Sequence, residues 1–348
     1  MQQIINTGII GFGLSGRVFH APFIHTHQGF NLIKVVERHK EDSKKVYPYV
    51  EVVRNYKDLL TDKDIDLVVV ATENTLHFPM VRESLLAGKN VVVEKPFTPV
   101  SSEADELIEL SEQTGKKIFV YQNRRWDGDF LTIKRVIKEG LLGEVQEYEA
   151  HFDRYKPQLI RGKWRDEKKP GGGILYDLGS HLIDQALQLF GKPESLIADI
   201  YAQRPGSKVD DYFRLELFYP STKVILTAGM MVKEPGPRFI IHGTNGSFIK
   251  YGIDPQEEAL TNGRMPEGEK WGVEVEKNWG FLTTESDDEQ VDGRIVTEPG
   301  NYMKFYDNVY DVIVNNAEQA VKPGEARDVI RIIETAFESN KYRKTVYY

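Results

Sequence analysis

The segment Asp177-Leu178-Gly179-Ser180-His181 sets a carboxylate and an imidazole four positions apart. On a helix, residues at i, i+4 and i+7 share a face, so Asp177, His181 and Asp184 form one polar row. Leu178, Leu182, Ala186 and Leu189 form an adjacent apolar row suited to a core. A carboxylate beside an imidazole fixes its tautomer and makes it a better base. Three readings follow from this chemistry. The pair is a general base with its orienting acid, or a capping aspartate with a core histidine, or part of a metal site.

A second cluster lies at the start of the chain. Gly11-Phe12-Gly13-Leu14-Ser15-Gly16 follows a β-rich apolar run, Gln3 to Ile10, and precedes Arg17 to His27, which can be a short helix. One glycine permits a tight turn, one lets the backbone approach a pyrophosphate, and one lets helix and strand pack closely. The pyrophosphate then meets free N–H groups at the positive end of the helix. Gly11, Phe12, Gly13, Leu14 and Gly16 are therefore candidate dinucleotide contacts. Glu37, 21 positions beyond Gly16, ends the next strand and can accept from a ribose 2′-OH, which favours NAD. Arg38 follows it and could hold a 2′-phosphate, which favours NADP. His39 and Lys40 read as a solvated turn.

Val91-Val92-Val93-Glu94-Lys95-Pro96 puts Glu94 and Lys95 at the C-terminal end of a buried strand, where open α/β sheets bind their ligands. Lys95 there would lie near a nicotinamide and stabilise a developing alkoxide or hold a hydroxyl; a surface lysine is the plain alternative. Thr72, Asn74 and His77 follow the apolar run Ile65 to Ala71 and could reach the cofactor or cap a helix. Asn123 and Arg124 end the last strand of the series and could grip a polyhydroxy substrate or form a salt bridge. Trp164 and Arg165 could line the same cleft, with a core or hinge role for Trp164 as the alternative.

These residues need a scaffold that alternates strand and helix. The apolar runs Leu32 to Val36, Ile65 to Ala71, Asn90 to Glu94 and Lys117 to Tyr121 are separated by helical stretches such as Thr75 to Ala87 and Ser101 to Thr114. That rhythm implies a parallel sheet with helices on both faces. After residue 122 it changes. Helices are expected at Phe130 to Glu139 and Asp177 to Phe190. Alternating runs follow at Val145 to Phe152, Leu196 to Gln203, Tyr212 to Tyr219 and Val224 to Met231. Thr244-Asn245-Gly246 should turn a hairpin between Phe239–Gly243 and Ser247–Tyr251. Residues 252–300 read as long loops, and two helices, Tyr302–Glu318 and Glu325–Ser339, close the chain. The fold class is α/β: a dinucleotide-binding Rossmann domain over 1–122, then an α/β domain with a largely antiparallel open sheet over 123–348.

Composition narrows the function. The 348 residues are 40% hydrophobic and 28% charged, which is globular and fits about two domains. The net charge of −8 opposes non-specific binding to nucleic acid or anionic membrane. There is no cysteine, so disulfides, iron–sulfur clusters and thiolate zinc sites are excluded. The start lacks a signal-peptide pattern, and no apolar run approaches the ~20 residues a bilayer requires. A cytoplasmic protein is expected.

GFGLSG, EKP and GGGILYDLGSHLIDQ together resemble the glucose–fructose oxidoreductase/inositol dehydrogenase/MocA family over essentially the whole chain. YQNRRWDGDFLTIK, RYKP, VDDYF and IHGTNGSFIKYGIDPQE look closest to its NADP-dependent scyllo-inositol 2-dehydrogenase subgroup. The resemblance implies NAD or NADP as cofactor, a sugar or polyol as substrate, no metal, and dimers or tetramers built on the open face of the second sheet. It implies that Lys95, Asp177 and His181 act together; Arg124 and Tyr155 are further candidates at the substrate. It also admits an NAD-dependent glycoside hydrolase; a non-catalytic NAD(P)-binding sensor is the remaining class. Two places depart from the family pattern: Thr72-Glu73 replaces Thr-Pro, and Glu37-Arg38-His39 replaces a Ser/Thr-rich turn.

Overall fold

The computed structural model describes residues 3–159, 168–286 and 289–348. Its chain divides into two compact units. The first comprises residues 1–123, 256–271 and 301–327; the second comprises 124–255, 272–300 and 328–348. Each unit is therefore assembled from separated stretches of chain.

The first unit holds a six-stranded sheet of β1 (Ile5–Ile10), β2 (Phe30–Val36), β3 (Glu51–Val53), β4 (Leu67–Val70), β5 (Asn90–Val93) and β6 (Ile118–Val120). Their order is β3-β2-β1-β4-β5-β6, and all pairs are parallel. This is the doubly wound dinucleotide-binding order, which reverses beside β1. Every residue of β4 is buried, as its continuous apolar run requires. Helix Ser101–Thr114 starts and stops where the sequence places it, and Gly115 closes it in a left-handed conformation at φ 67°. The short elements Asp42–Val46, β3 and Tyr56–Leu60 were not anticipated; at three to five residues they carry too little periodicity to read.

The second unit is built on nine strands: β7 (Val145–His151), β8 (Ser195–Tyr201), β9 (Tyr212–Phe218), β10 (Lys223–Gly229), β11 (Phe239–Gly243), β12 (Gly246–Lys250), β13 (Gly280–Ser286), β14 (Glu289–Ile295) and β15 (Val346–Tyr347). Their order is β14-β13-β12-β11-β7-β10-β9-β8-β15. Only β7 and β10 pair in parallel. The expected hairpin joins β11 to β12. One face carries the core: Tyr148, Ala150, Leu215 and Leu226 pack against Leu182, Ile183 and Ala186 of helix Ser180–Phe190. On the opposite face Tyr212, Arg214 and Glu216 of β9 are half-buried.

The expectation of long loops over 252–300 is corrected. The segment holds helix Gln256–Thr261 and the hairpin β13–β14. At this end of the sheet, where β14 is the edge, the strands need bury only part of one face, so their Thr-, Glu- and Gly-rich sequence hides the alternation. A buried ion pair ties the segment down: Lys250 Nζ lies 2.8 Å from Glu274 Oε1, and Thr297 Oγ1 donates to Glu274 Oε2 at 2.7 Å.

Candidate active site

The glycine loop of the first unit is shaped by backbone contact. Gly11 has φ 97°, and a Cβ there would lie 2.6 Å from the Ala71 carbonyl oxygen. A Cβ at Gly16 would lie 2.1 Å from the Gly11 carbonyl oxygen. Gly13 differs: a Cβ there would meet nothing within 4 Å. The two outer glycines let the protein close on itself, while the middle one faces open space where a pyrophosphate can approach. The chain then enters a π turn, Gly16–His20, before helix Ala21–Thr26. Phe12 packs edge-on to Tyr47, and Leu14 is exposed. Loop and helix start thus fit a dinucleotide phosphate.

Glu37 has other obligations than a ribose. Its Oε2 accepts from the Asp42 N–H at 2.9 Å; its Oε1 accepts from the Ser43 N–H at 2.9 Å and the Ser43 hydroxyl at 2.5 Å. It caps helix Asp42–Val46 and is 7% exposed. Arg54 braces the same turn, donating to the Glu37 and Lys40 carbonyls. Arg38 is exposed.

At the end of β5, burial would push the Glu94 carboxyl up, but the His20 ring and the Ser15 hydroxyl overcome this and hold it down to about 2. His20 Nε2 lies 2.9 Å from Glu94 Oε1, and Ser15 Oγ donates to the same oxygen. A carboxylate only accepts, so Nε2 carries the proton in the neutral ring, and Nδ1 accepts from the Tyr306 hydroxyl at 2.7 Å. The Lys95 N–H donates to Glu94 Oε2 at 3.0 Å. Glu94 therefore binds the glycine loop and the π turn to the backbone that presents Lys95. Lys95 itself is half-buried, ahead of a cis bond to Pro96.

His77 lies between two loop carbonyls. It is fully buried, with Nδ1 2.9 Å from the Pro96 carbonyl oxygen and Nε2 3.3 Å from that of Thr72. Burial lowers its pKa, against the pull of those two carbonyls. Thr72 turns its hydroxyl to Met80 Sδ at 3.8 Å, and Asn74 and Asn123 are buried.

In the second unit a π turn, Leu175–Gly179, carries Asp177, and helix Ser180–Phe190 carries His181. π turns recur at functional sites because the extra residue re-aims side chains. Asp177 is half-buried, and His181 is 5% exposed. The third member of the expected polar row is engaged elsewhere. Asp184 takes a two-pronged ion pair from Arg125, at 2.8 Å from Nε and 2.6 Å from Nη2. Arg124 Nη1 donates to Asp127 Oδ2 at 3.1 Å, and its guanidinium stacks on Phe152 at 4.9 Å. Tyr155 is 49% exposed, bridged to Met231. Trp164 and Arg165 lie outside the described residues. Among the described residues, no group of three or more His, Asp or Glu side chains could hold a metal ion, and no helix is long and apolar enough to cross a membrane.

His20, Ser15, Tyr306 and Arg54 were missed. Their partners lie far away in sequence, 286 positions for His20 and Tyr306, so no local spacing reveals them.

The parallel sheet with its open glycine loop, followed by a mainly antiparallel α/β unit, defines a nicotinamide-dinucleotide oxidoreductase. Residues 5–122 match the oxidoreductase family's NAD-binding Rossmann fold, and 134–347 match its C-terminal alpha/beta domain. The chain belongs to the GFO/IDH/MocA oxidoreductase family. It is 43% identical to the uncharacterized oxidoreductase YdgJ of Escherichia coli, covering 99% of each chain. It is 41% identical to the scyllo-inositol 2-dehydrogenase (NADP(+)) IolW of Bacillus subtilis, covering 98% of this chain and 95% of IolW. The solved structure of Bacillus subtilis YvaA is 40% identical and matches with a TM-score of 0.97, covering 100% of this chain and 99% of that one.

Proposed function

We propose that this oxidoreductase interconverts a secondary hydroxyl and a ketone on a cyclic polyol or sugar, with inositols as the first substrates to try. The observation that carries the reading is the Asp177–His181 segment, held on a π turn at the head of a buried helix in a chain 41% identical to IolW. In oxidation, His181 accepts the hydroxyl proton, Asp177 orients its ring, and Lys95 holds the oxygen as its negative charge grows. When bound, the dinucleotide serves as the hydride acceptor. In reduction, His181 returns the proton to the oxygen, with Lys95 again holding the charge.

Cofactor choice follows from the turn after β2. Glu37 is engaged with helix Asp42–Val46, while exposed Arg38 can meet a 2′-phosphate. This supports NADP, the cofactor in IolW's own description.

The test is steady-state kinetics on inositols and sugars with both cofactors. His181→Ala should lose kcat by ~10²–10⁴-fold while still binding cofactor. Lys95→Ala should lose kcat too, and the double variant should lose less than the product, because both groups serve one transfer. Near-normal kcat in His181→Ala would overturn the mechanism. Sugar release from a glycoside without net cofactor reduction would instead make the chain a glycoside hydrolase.

A further inference from the structure

The segment that carries Asp177 and His181 begins without a cap of its own. Ile174 precedes the π turn and makes no side-chain capping bond. The first N–H groups of a helix have no partner within it, so they need acceptors from elsewhere. Asp210, on the chain leading into β9, supplies two. Its main-chain carbonyl accepts from the Ile174 N–H at 3.0 Å, and its Oδ2 accepts from the Leu175 N–H at 2.8 Å. The approach is close because Gly173, at φ 93°, has no side chain; a Cβ there would lie 2.0 Å from Asp210 Oδ1.

Asp210 is itself held by its neighbour. Asp211 is fully buried and accepts from the Gln203 N–H at 2.6 Å and from Arg204 Nε at 2.9 Å, while its carbonyl accepts from the Met230 N–H at 3.0 Å. Those bonds lock Asp211 to the ends of β8 and β10. The two adjacent aspartates thus divide the work: Asp211 grips the sheet, and Asp210 reaches across to the π turn.

We infer that Asp210 is a positioning residue for the reaction, delivering the N-terminal cap that sets the π turn of Asp177 and, one turn later, His181. The inference rests on the reading of Asp177 and His181 as the acid–base pair. The carboxyl is a costly choice for a purely structural cap. Burial raises its pKa to about 6, and the nearby Asp211 charge adds to the rise although the N–H groups it receives oppose it. Among the described residues the Tyr176 hydroxyl also stands in its field, and its own pKa is raised by burial, then by Glu334 and Asp210. Arg204 is paired with Asp211.

The test compares Asp210→Ala, Asp210→Asn and His181→Ala in the full-length protein. Asp210→Asn keeps an oxygen for the Leu175 N–H; Asp210→Ala removes it. We expect Asp210→Ala to lose kcat by about tenfold or more, with the KM for the dinucleotide unchanged, and Asp210→Asn to regain most of that loss. Hydrogen exchange across residues 174–181 should quicken in the alanine variant and stay slow in the asparagine one. Should Asp210→Ala fail to fold, Asp210→Asn against Asp210→Ser makes the same comparison, since serine is too short to reach the N–H. Wild-type kcat without the acceptor, in a protein whose His181→Ala variant is inactive, overturns the inference alone. An asparagine variant as impaired as the alanine also overturns it. Wild-type kcat in His181→Ala overturns the acid–base reading, and the inference with it.

Discussion

Gly13 and Gly16 have the same residue type and opposite reasons for it. Open space at Gly13 means that Gly13→Val should fold normally and lose dinucleotide affinity steeply; an unchanged cofactor titration would remove the phosphate from this loop. Gly16→Ala should instead lower the melting temperature, because its Cβ would press on the Gly11 carbonyl. Glu94 allows a pH test. Its folded pKa, about 2, lies below the ordinary carboxylate value of 4.5. Its contribution to stability is therefore full above pH 4.5 and lost as pH falls toward 2. Glu94→Gln should destabilise the protein at neutral pH, because the buried His20 Nε2–H and the Ser15 hydroxyl lose a charged acceptor. The gap to wild type should narrow in urea melts between pH 4.5 and the acid limit; a constant gap would show that the charge contributes nothing.

Among elements, helix Ser180–Phe190 combines two functions along its length. Its start carries His181, and its middle is anchored by the Arg125–Asp184 pair, both residues nearly fully buried. Removing one charge strands the other in a low-dielectric interior. Asp184→Asn should therefore cost about 3–5 kcal/mol in urea melts. Arg125→Met with Asp184→Leu should restore most of that stability. Activity in the double variant should recover with the fold, since Asp184 serves Arg125 rather than the reaction. A folded, inactive double variant would return Asp184 to the catalytic row. The element also shows where local reading fails. Helical spacing put Asp184 in one row with Asp177 and His181, but an arginine 59 positions away claims it.

For the whole molecule, the face of the second sheet away from the core presents Tyr201 and Tyr212 side by side, with ring centroids 6.2 Å apart. Arg214 and Glu216 stand on the same face, alternating with the buried Phe213, Leu215 and Leu217. An open sheet with aromatic and paired polar groups suits a partner sheet, and we propose that a second copy of the chain covers it. Light scattering should give the mass of a dimer or tetramer. Tyr212→Asp should shift it toward the 39.9 kDa monomer while leaving dinucleotide binding intact, because the glycine loop belongs to the first unit. A monomeric wild type would remove the proposal.

The sequence by itself determined the chemistry on offer and the scaffold class. Gly-x-Gly-x-x-Gly, the buried valine runs and the helix with Asp177 and His181 are local patterns. Strand alternation, helical period and glycine conformation act over a few residues, so they are written in adjacent positions. The tertiary structure decided which donors these carboxylates meet. Glu37 turned to a helix start, Glu94 to His20, Asp184 to Arg125 and Asp210 to the π turn. Every one of these is a hydrogen bond satisfied by a donor that folding alone brings within 3 Å. A buried carboxylate must find such donors or lose its charge, and no spacing in the sequence states which donors those will be.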